Sequence, residues 1–221
     1  MSLVILKKKK LNNLLNEKSI KNLRKYIFKE KKIVVIKNIH KNLSVKLVNQ
    51  AEKQLKKKPR FFKPFLNCLD QYIFNKNNKK SKVRGYYKKI VLFPWNKENL
   101  NFFNSMNNLI RLKERINIQK NKNVKKKYHV IQIMNYPAKK GFLSKHKDSN
   151  FHKECIIQIG TKQKNHKSED SGLNIFSNFK NINIDKFIRA GDLILFSKGI
   201  KHFVKQDSAR SRWSIILGDF F

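Results

Sequence analysis

The sequence predicts a mainly β protein with flanking helices, and three observations support that fold class. From His129 onwards, short apolar runs alternate with turn residues such as Gly191-Asp192, which is typical of a sandwich or barrel rather than of parallel βαβ units. Before that point, apolar residues recur at helical spacing over 10–29 and 96–116. A chain of 221 residues can bury one sizeable core. We therefore expect a single domain over the whole chain.

Residues 1–126 are expected to form a mostly helical support region. Its two amphipathic stripes should pack on the core, with lysine-rich faces outward. Ser44 is a candidate N-cap for a helix between them, and the aromatic-rich segment 61–74 is interpreted as a further helix. Two strands and two basic loops complete this half, with strands at 33–36 and within 83–95, and loops at 75–82 and 117–126.

Residues 127–221 are expected to form the β core. Between His129 and Tyr136, side chains should alternate between two faces, with Gln132, Met134 and Tyr136 sharing one of them. The later apolar runs predict further short strands at 155–159, 173–176, 193–196, 202–204 and 212–220.

Two histidines and one aspartate form the most informative pattern in this β half. Successive side chains of a strand point to opposite faces, so His146 and Asp148 should point the same way. If His202 approaches from a facing strand, two neutral imidazole nitrogens and one carboxylate lie on one side of a metal ion. This arrangement suits non-haem Fe(II) and leaves coordination positions open for chemistry. The competing histidines, which lie at a strand start or in lysine-rich loops, are assigned to the surface: His129, His152 and His166.

A second pair, Arg212 and Ser214, should also share one face of the last strand. A guanidinium binds a carboxylate through two parallel hydrogen bonds, and a hydroxyl two residues on can donate another. The rival is Arg210, two residues earlier on the same face. We prefer Arg212, because Ser214 completes its pair and the opposite side of the strand is apolar.

Together, His146-Lys-Asp148, His202 and Arg212-Trp-Ser214 resemble the motifs of the Fe(II)/2-oxoglutarate-dependent oxygenases. The resemblance covers roughly residues 127–221. It implies a double-stranded β-helix, a jelly-roll variant, whose core the N-terminal helices brace. It also implies Fe(II), 2-oxoglutarate as cosubstrate and O2, with the metal on the first three residues and the far carboxylate of 2-oxoglutarate on the last two.

Tyr136 and Gln132 are further candidates for contact with the cofactor or substrate, from a neighbouring strand. The resemblance implies an oxidoreductase that releases succinate and CO2 and hydroxylates its substrate, for which we expect a small-molecule metabolite. The alternatives are a protein or nucleic-acid oxygenase of the same superfamily, or a non-oxidative cupin-like metal-binding protein. A cupin-like protein would not need Arg212 and Ser214, and the nucleic-acid branch carries its key arginines farther beyond the distal histidine.

The net charge of +38 would ordinarily indicate nucleic acid or an anionic membrane as a partner. Here the lysines are spread along the chain together with many Asn, Ile and Phe residues, so we interpret them as a solvated basic surface. Nucleic acid stays open as an alternative partner, and no membrane partner is expected. We interpret Cys68 and Cys155 as small core residues of a protein in a reducing compartment, because their spacing fits neither a metal site nor a disulfide. The N-terminal residues do not have the pattern of a signal peptide. We expect a soluble, cytoplasmic protein.

Overall fold

A computed structural model describes residues 3–7, 11–37, 39, 41–56, 71–76, 83–117, 128–148, 154–161, 172–177, 180–206 and 211–220. The strands are β1 (Leu3–Leu6), β2 (Ile33–Ile36), β3 (Gln71–Lys76), β4 (Gly85–Leu92), β5 (Tyr128–Tyr136), β6 (Phe142–His146), β7 (Cys155–Ile159), β8 (Gly172–Ser177), β9 (Lys180–Asn183), β10 (Leu193–Ser197), β11 (Lys201–Lys205) and β12 (Arg212–Phe220). The α-helices are α1 (Leu11–Leu14), α2 (Glu17–Arg24), α3 (Lys41–Lys56) and α4 (Leu100–Ile116), with a π-helical turn at Lys25–Lys29 and 3₁₀ turns at Lys97–Asn99 and Ile184–Lys186.

The strands form one curled mixed sheet. One part has the order β1-β2-β10-β7-β12-β5-β4, and the other has the order β6-β11-β8-β9. Strand β4 joins the two parts, because it pairs with β5 along one stretch and with β6 along another. The sheet therefore folds over on itself into two layers, and the expected jelly-roll architecture with flanking helices is confirmed.

Strand β2 shows how the helices brace this sheet. Val34 and Ile36 belong to an apolar cluster that includes buried residues of α2 and α4, whereas Ile33 and Val35 belong to the cluster between the two layers. Both faces of the strand are buried, which explains why its sequence is apolar without alternation. The helices cover the outer face of the larger part of the sheet, and its inner face lines the interior.

The first half of the chain contributes more strand than its sequence predicts. Strand β1 pairs in parallel with β2, although no strand is expected there from the sequence. The helix expected at 61–74 is wrong for residues 71–74, which belong to β3 and pair with β4. Tyr72-Ile-Phe74 has high β propensity, and the free edge of β4 gives it a partner. Residues 61–70 of that expected helix lie outside the described residues.

Ser44 is not an N-cap, because α3 begins one turn earlier, at Lys41. Leu43 and Leu47, one turn apart, are both buried, and extending the helix towards its N-terminus places them on the same core face. Cys155 is buried as expected, whereas Cys68 lies outside the described residues. In the described part of the chain, no helix has the length and apolar character needed to cross a membrane.

Candidate active site

The register of two strands brings the three candidate metal ligands together. His146 ends β6, His202 is the second residue of β11, and the two lie opposite each other in an antiparallel pair. Asp148 follows His146 by two residues and approaches both rings, with Oδ1 3.3 Å from Nε2 of His146 and Oδ2 3.7 Å from Nε2 of His202. One ligand atom from each residue lies within 4.8 Å of the others. This donor set fits a first-row divalent metal.

Backbone contacts fix which nitrogen each histidine presents. Nδ1 of His146 lies 2.8 Å from the carbonyl oxygen of Ser144, and Nδ1 of His202 lies 3.1 Å from that of Ile200. A carbonyl oxygen only accepts hydrogen bonds, so each Nδ1 must carry the proton and donate it. The lone pair of each Nε2 therefore points to the shared centre. Metal-binding histidines are held in this tautomer by the same kind of contact.

The charges at the site suit metal binding. Burial raises the pKa of Asp148, but the contacts with His146 and His202, in the protonated forms of these rings, outweigh this effect and hold the pKa below its ordinary value. Burial lowers the pKa of His202, and the attraction of Asp148 offsets this only in part. Asp148 is therefore anionic and His202 neutral at neutral pH, as a metal requires. Burial lowers the pKa of His146, but its contacts with Asp148 and the Ser144 carbonyl more than offset this and the net pKa is raised, so a metal ion would have to displace a proton from this ring.

A cavity of about 390 Å³ lies beside the three ligands. Gln132 and Tyr136 of β5 line it, as the alternation along that strand predicts, and Ser214 lines it from β12. Among the described residues, the wall includes Ser214 but not Arg212. The hydroxyl of Tyr136 contacts the sulfur of Met134 at 3.5 Å, and sulfur is a weak acceptor. A better acceptor inside the cavity could take this hydrogen bond.

Arg212 is already bound to a carboxylate. Its Nε donates to Oδ2 of Asp185 at 2.7 Å and its Nη2 donates to Oδ1 at 3.0 Å, while the third nitrogen, Nη1, donates to Oγ of Ser214. Only 10% of the Arg212 side chain and 8% of the Asp185 side chain are exposed. Burial lowers the pKa of Arg212, but Asp185 more than offsets this and the net pKa is raised. The guanidinium is therefore a fixed, charged donor.

Gly172 makes room for the carboxylate of Asp185. It has φ of +97°, and a Cβ at this position would lie 2.0 Å from Oδ2 of Asp185. Only glycine accommodates both the backbone conformation and the close approach. Asn183 caps the 3₁₀ turn that carries Asp185, because its side chain accepts a hydrogen bond from the Asp185 amide at 3.1 Å. The conformation of the loop before β10 thus holds Asp185 in position for its ion pair with Arg212.

A network of charged side chains reaches the cavity wall through Glu154, Lys198 and Asp219. Asp219 accepts from the buried Lys113 at 2.6 Å and from Lys198 at 3.0 Å, and Lys198 also donates to Glu154 at 2.6 Å. His129 contacts Asp219 at 3.3 Å and is only 19% exposed, so its assignment to the surface is wrong. It packs there because α4 and β12 converge on the start of β5.

Lys89 of β4 is the other lysine in the described part of the cavity wall. Burial lowers its pKa, and the charge of Asp148 acts in the opposite direction. The sequence alone does not predict that Lys89 lines the cavity. Alternation along β4 places Tyr87 and Lys89 on the same face, but it does not show which face is interior.

Two further residues at the site were missed from the sequence. Gln158 is 3% exposed and donates to Oγ of Ser214 at 3.1 Å. A single polar residue in the apolar run Cys155–Ile159 is a signal that could have identified it. Asp185 gives no comparable signal, because its partner lies 27 residues away in sequence. Arg210, His152 and His166 lie outside the described residues.

The fold is similar to that of solved oxygenases. A prolyl-4-hydroxylase from Pseudomonas putida gives a TM-score of 0.63 at 12% identity, covering 89% of this chain and 96% of that one. A Trichoplax adhaerens prolyl hydroxylase, solved with a peptide fragment of hypoxia inducible factor, gives 0.59 at 15% identity, covering 92% and 91%. The dioxygenase for auxin oxidation 1 from Arabidopsis thaliana, solved with 2-oxoglutarate, gives 0.56 at 16% identity, covering 98% and 92%.

No family model matches the sequence, and no curated protein matches it. The structural similarity at these low identities shows a shared fold. The chain therefore has the jelly-roll fold of the Fe(II)/2-oxoglutarate oxygenases.

Proposed function

We propose that this chain, which has the fold of the Fe(II)/2-oxoglutarate oxygenases, is an Fe(II)- and 2-oxoglutarate-dependent dioxygenase that hydroxylates a small-molecule metabolite. The observation that carries the proposal is the cluster of His146, Asp148 and His202, whose ligand atoms lie within 4.8 Å of one another beside a cavity. The Nδ1 contacts to backbone carbonyls leave both Nε2 atoms available to a metal. Two histidines and an acid that met by chance would have no reason to share this tautomer, with both Nε2 atoms directed to one point.

His146, Asp148 and His202 would hold Fe(II). When bound, the iron and 2-oxoglutarate supply the oxidising chemistry, in which one oxygen atom of O2 enters succinate, CO2 is released and the other oxygen atom enters the substrate. The protein contributes the ligand geometry and the cavity beside the ligands. Phe196 packs edge-on against His202, with ring centroids 5.3 Å apart, and so helps to hold that ring in place.

Arg212 and Ser214 would bind the far carboxylate of 2-oxoglutarate. Oγ of Ser214 accepts from both Arg212 and Gln158, so its two lone pairs are occupied and its own proton is free to be donated. Ser214 lines the cavity, and a carboxylate oxygen is a suitable acceptor there. Gln158 is in this way a positioning residue for Ser214.

The size of the cavity favours a small-molecule substrate. Its volume of about 390 Å³ lies within the range of small-molecule sites. A peptide substrate is the second candidate, because two of the similar structures are prolyl hydroxylases and one of them holds a peptide. The buried Arg212-Ser214 pair argues against a cupin-like protein without a cosubstrate. The absence of a membrane partner and the cytoplasmic location stay predictions, and nucleic acid stays open as an alternative partner.

The test is anaerobic titration with Fe(II) and then 2-oxoglutarate, followed by the charge-transfer absorption of their complex. Asp148→Ala removes the only charged ligand, and we expect Fe(II) affinity to fall by more than the 10- to 100-fold that loss of an outer-shell partner typically costs. Lys147→Ala is the matched control, because Lys147 is an exposed residue between His146 and Asp148. Full Fe(II) binding and succinate release by a folded Asp148→Ala protein would contradict the proposal.

A further inference from the structure

The cavity wall carries two lysines in the described part of the chain, and they differ in their partners. Lys198 is held by Glu154 at 2.6 Å and by Asp219 at 3.0 Å. Lys89 is half-buried and forms no side-chain hydrogen bond or ion pair with a described residue. Among those residues, the opposing charge that acts on Lys89 is that of Asp148, without an ion-pair contact between the two side chains. Once Asp148 binds a metal ion, that charge is shared with the metal.

The register of the sheet separates Lys89 from the proposed cosubstrate residues. Lys89 lies opposite Met134, and Met134 lies opposite Ser214 on its other side. Neighbouring strands are about 4.8 Å apart, so the backbones of Lys89 and Ser214 are about 10 Å apart across β5. The proposed cosubstrate residues on β12, Arg212 and Ser214, are therefore separate from Lys89 on β4.

Among the described residues, the other cations near the cavity have partners. Arg212 is paired with Asp185, and Lys198 and Lys113 are paired with Asp219 and Glu154. A half-buried ammonium group without a counter-ion is unfavourable, and an anion that enters the cavity removes this penalty. The cation on β4 is thus placed to favour anionic molecules over neutral ones of the same shape.

We propose that Lys89 binds a carboxylate group of the primary substrate and thereby makes the enzyme selective for anionic small molecules. This inference rests on the proposed function. The far carboxylate of 2-oxoglutarate has its own partners on β12, and its other end belongs at the metal. Lys89 is therefore available to bind a second carboxylate, which belongs to the molecule that is oxidised.

Propionate and its neutral analogue propionamide are suitable probes, because they differ in charge but little in shape. The protein is saturated with Mn(II) and 2-oxoglutarate, and the metal-induced relaxation of the methyl protons of each probe is measured by NMR. We expect faster relaxation for propionate than for propionamide. Lys89→Met should reduce the propionate effect at least tenfold, and Lys89→Arg should retain much of it.

Lys88→Met is the matched control, because Lys88 is the preceding residue of β4 and its side chain points to the opposite face. It should leave both probes unchanged. Equal relaxation of propionate by Lys89→Met and the unaltered protein would overturn the inference. A Lys89→Met protein with weakened 2-oxoglutarate affinity would also overturn it, by assigning Lys89 to the cosubstrate. If the unaltered protein does not bind Mn(II) and 2-oxoglutarate, it is the proposed function that fails.

Discussion

Replacing Asp185 with asparagine tests whether this carboxylate competes with the cosubstrate for Arg212. Asp185 accepts two hydrogen bonds from the guanidinium, at 2.7 and 3.0 Å, and both side chains are almost fully buried. Asparagine has the same shape but no charge. Asp185→Asn therefore leaves the guanidinium of Arg212 in a buried position without a counter-ion.

The loss of one partner from a buried ion pair costs about 3–5 kcal/mol. For a chain of this size, 1 kcal/mol corresponds to about 2–4 °C in Tm, so we expect Tm to fall by about 6–20 °C. Binding of 2-oxoglutarate should change in the opposite direction. In this variant the far carboxylate of 2-oxoglutarate no longer competes with a carboxylate at position 185 for Arg212. A tenfold gain in affinity would add about 1.4 kcal/mol to the stabilisation by saturating 2-oxoglutarate, which corresponds to a further rise in Tm of about 3–6 °C.

The assay is thermal unfolding of the Mn(II)-loaded protein with and without 2-oxoglutarate, together with a direct titration of the cosubstrate. Asp192→Asn is the matched control. Asp192 is also buried and bonded to a cation at 2.9 Å, but that cation is Lys37, which is not one of the proposed cosubstrate residues. This variant should lose stability without gaining affinity for 2-oxoglutarate. If Asp185→Asn weakens 2-oxoglutarate binding, Asp185 positions the guanidinium instead of competing for it, and the reasoning is refuted.

Two further predictions concern stability. Burial raises the pKa of Asp219, but the contacts with His129 and Lys113 outweigh it and hold the pKa well below its ordinary value of 3.8. The unfolded chain therefore binds more protons below about pH 4, so the stability that Asp219 provides is present above that pH and is lost on acidification. Asp219→Asn should lower the free energy of unfolding by about 3–5 kcal/mol at pH 7. Denaturant titrations should show this difference between the two proteins becoming smaller towards pH 3. A difference that does not depend on pH would contradict the assignment. Gly172→Ala adds a Cβ 2.0 Å from Oδ2 of Asp185, at a residue with φ of +97°. It should therefore lower the free energy of unfolding by at least about 1–3 kcal/mol. An unchanged Tm would show that the Asp185 carboxylate does not lie against this position.

Local periodicity in the sequence was sufficient to predict several elements of the fold. The strand at 33–36 and the helical stripe that became α4 have apolar spacings that report directly on burial. The shared face of His146 and Asp148 also follows from local geometry, because side chains of a strand repeat every two residues. These features depend on neighbours in sequence, which is why one sequence is enough to predict them.

Only the tertiary structure determined which residues meet across the chain. The sequence pattern did not show that β3 would pair with β4, or that β4 would pair with both β5 and β6. Because that pairing decides which face of β4 is interior, it also decides that Lys89 and not Lys88 lines the cavity. In the same way, the sequence led us to Arg212, but the fold alone brought Asp185 to it from the loop before β10. Strand pairing and ion pairing between distant segments depend on how the whole sheet closes, and local propensity does not encode that closure.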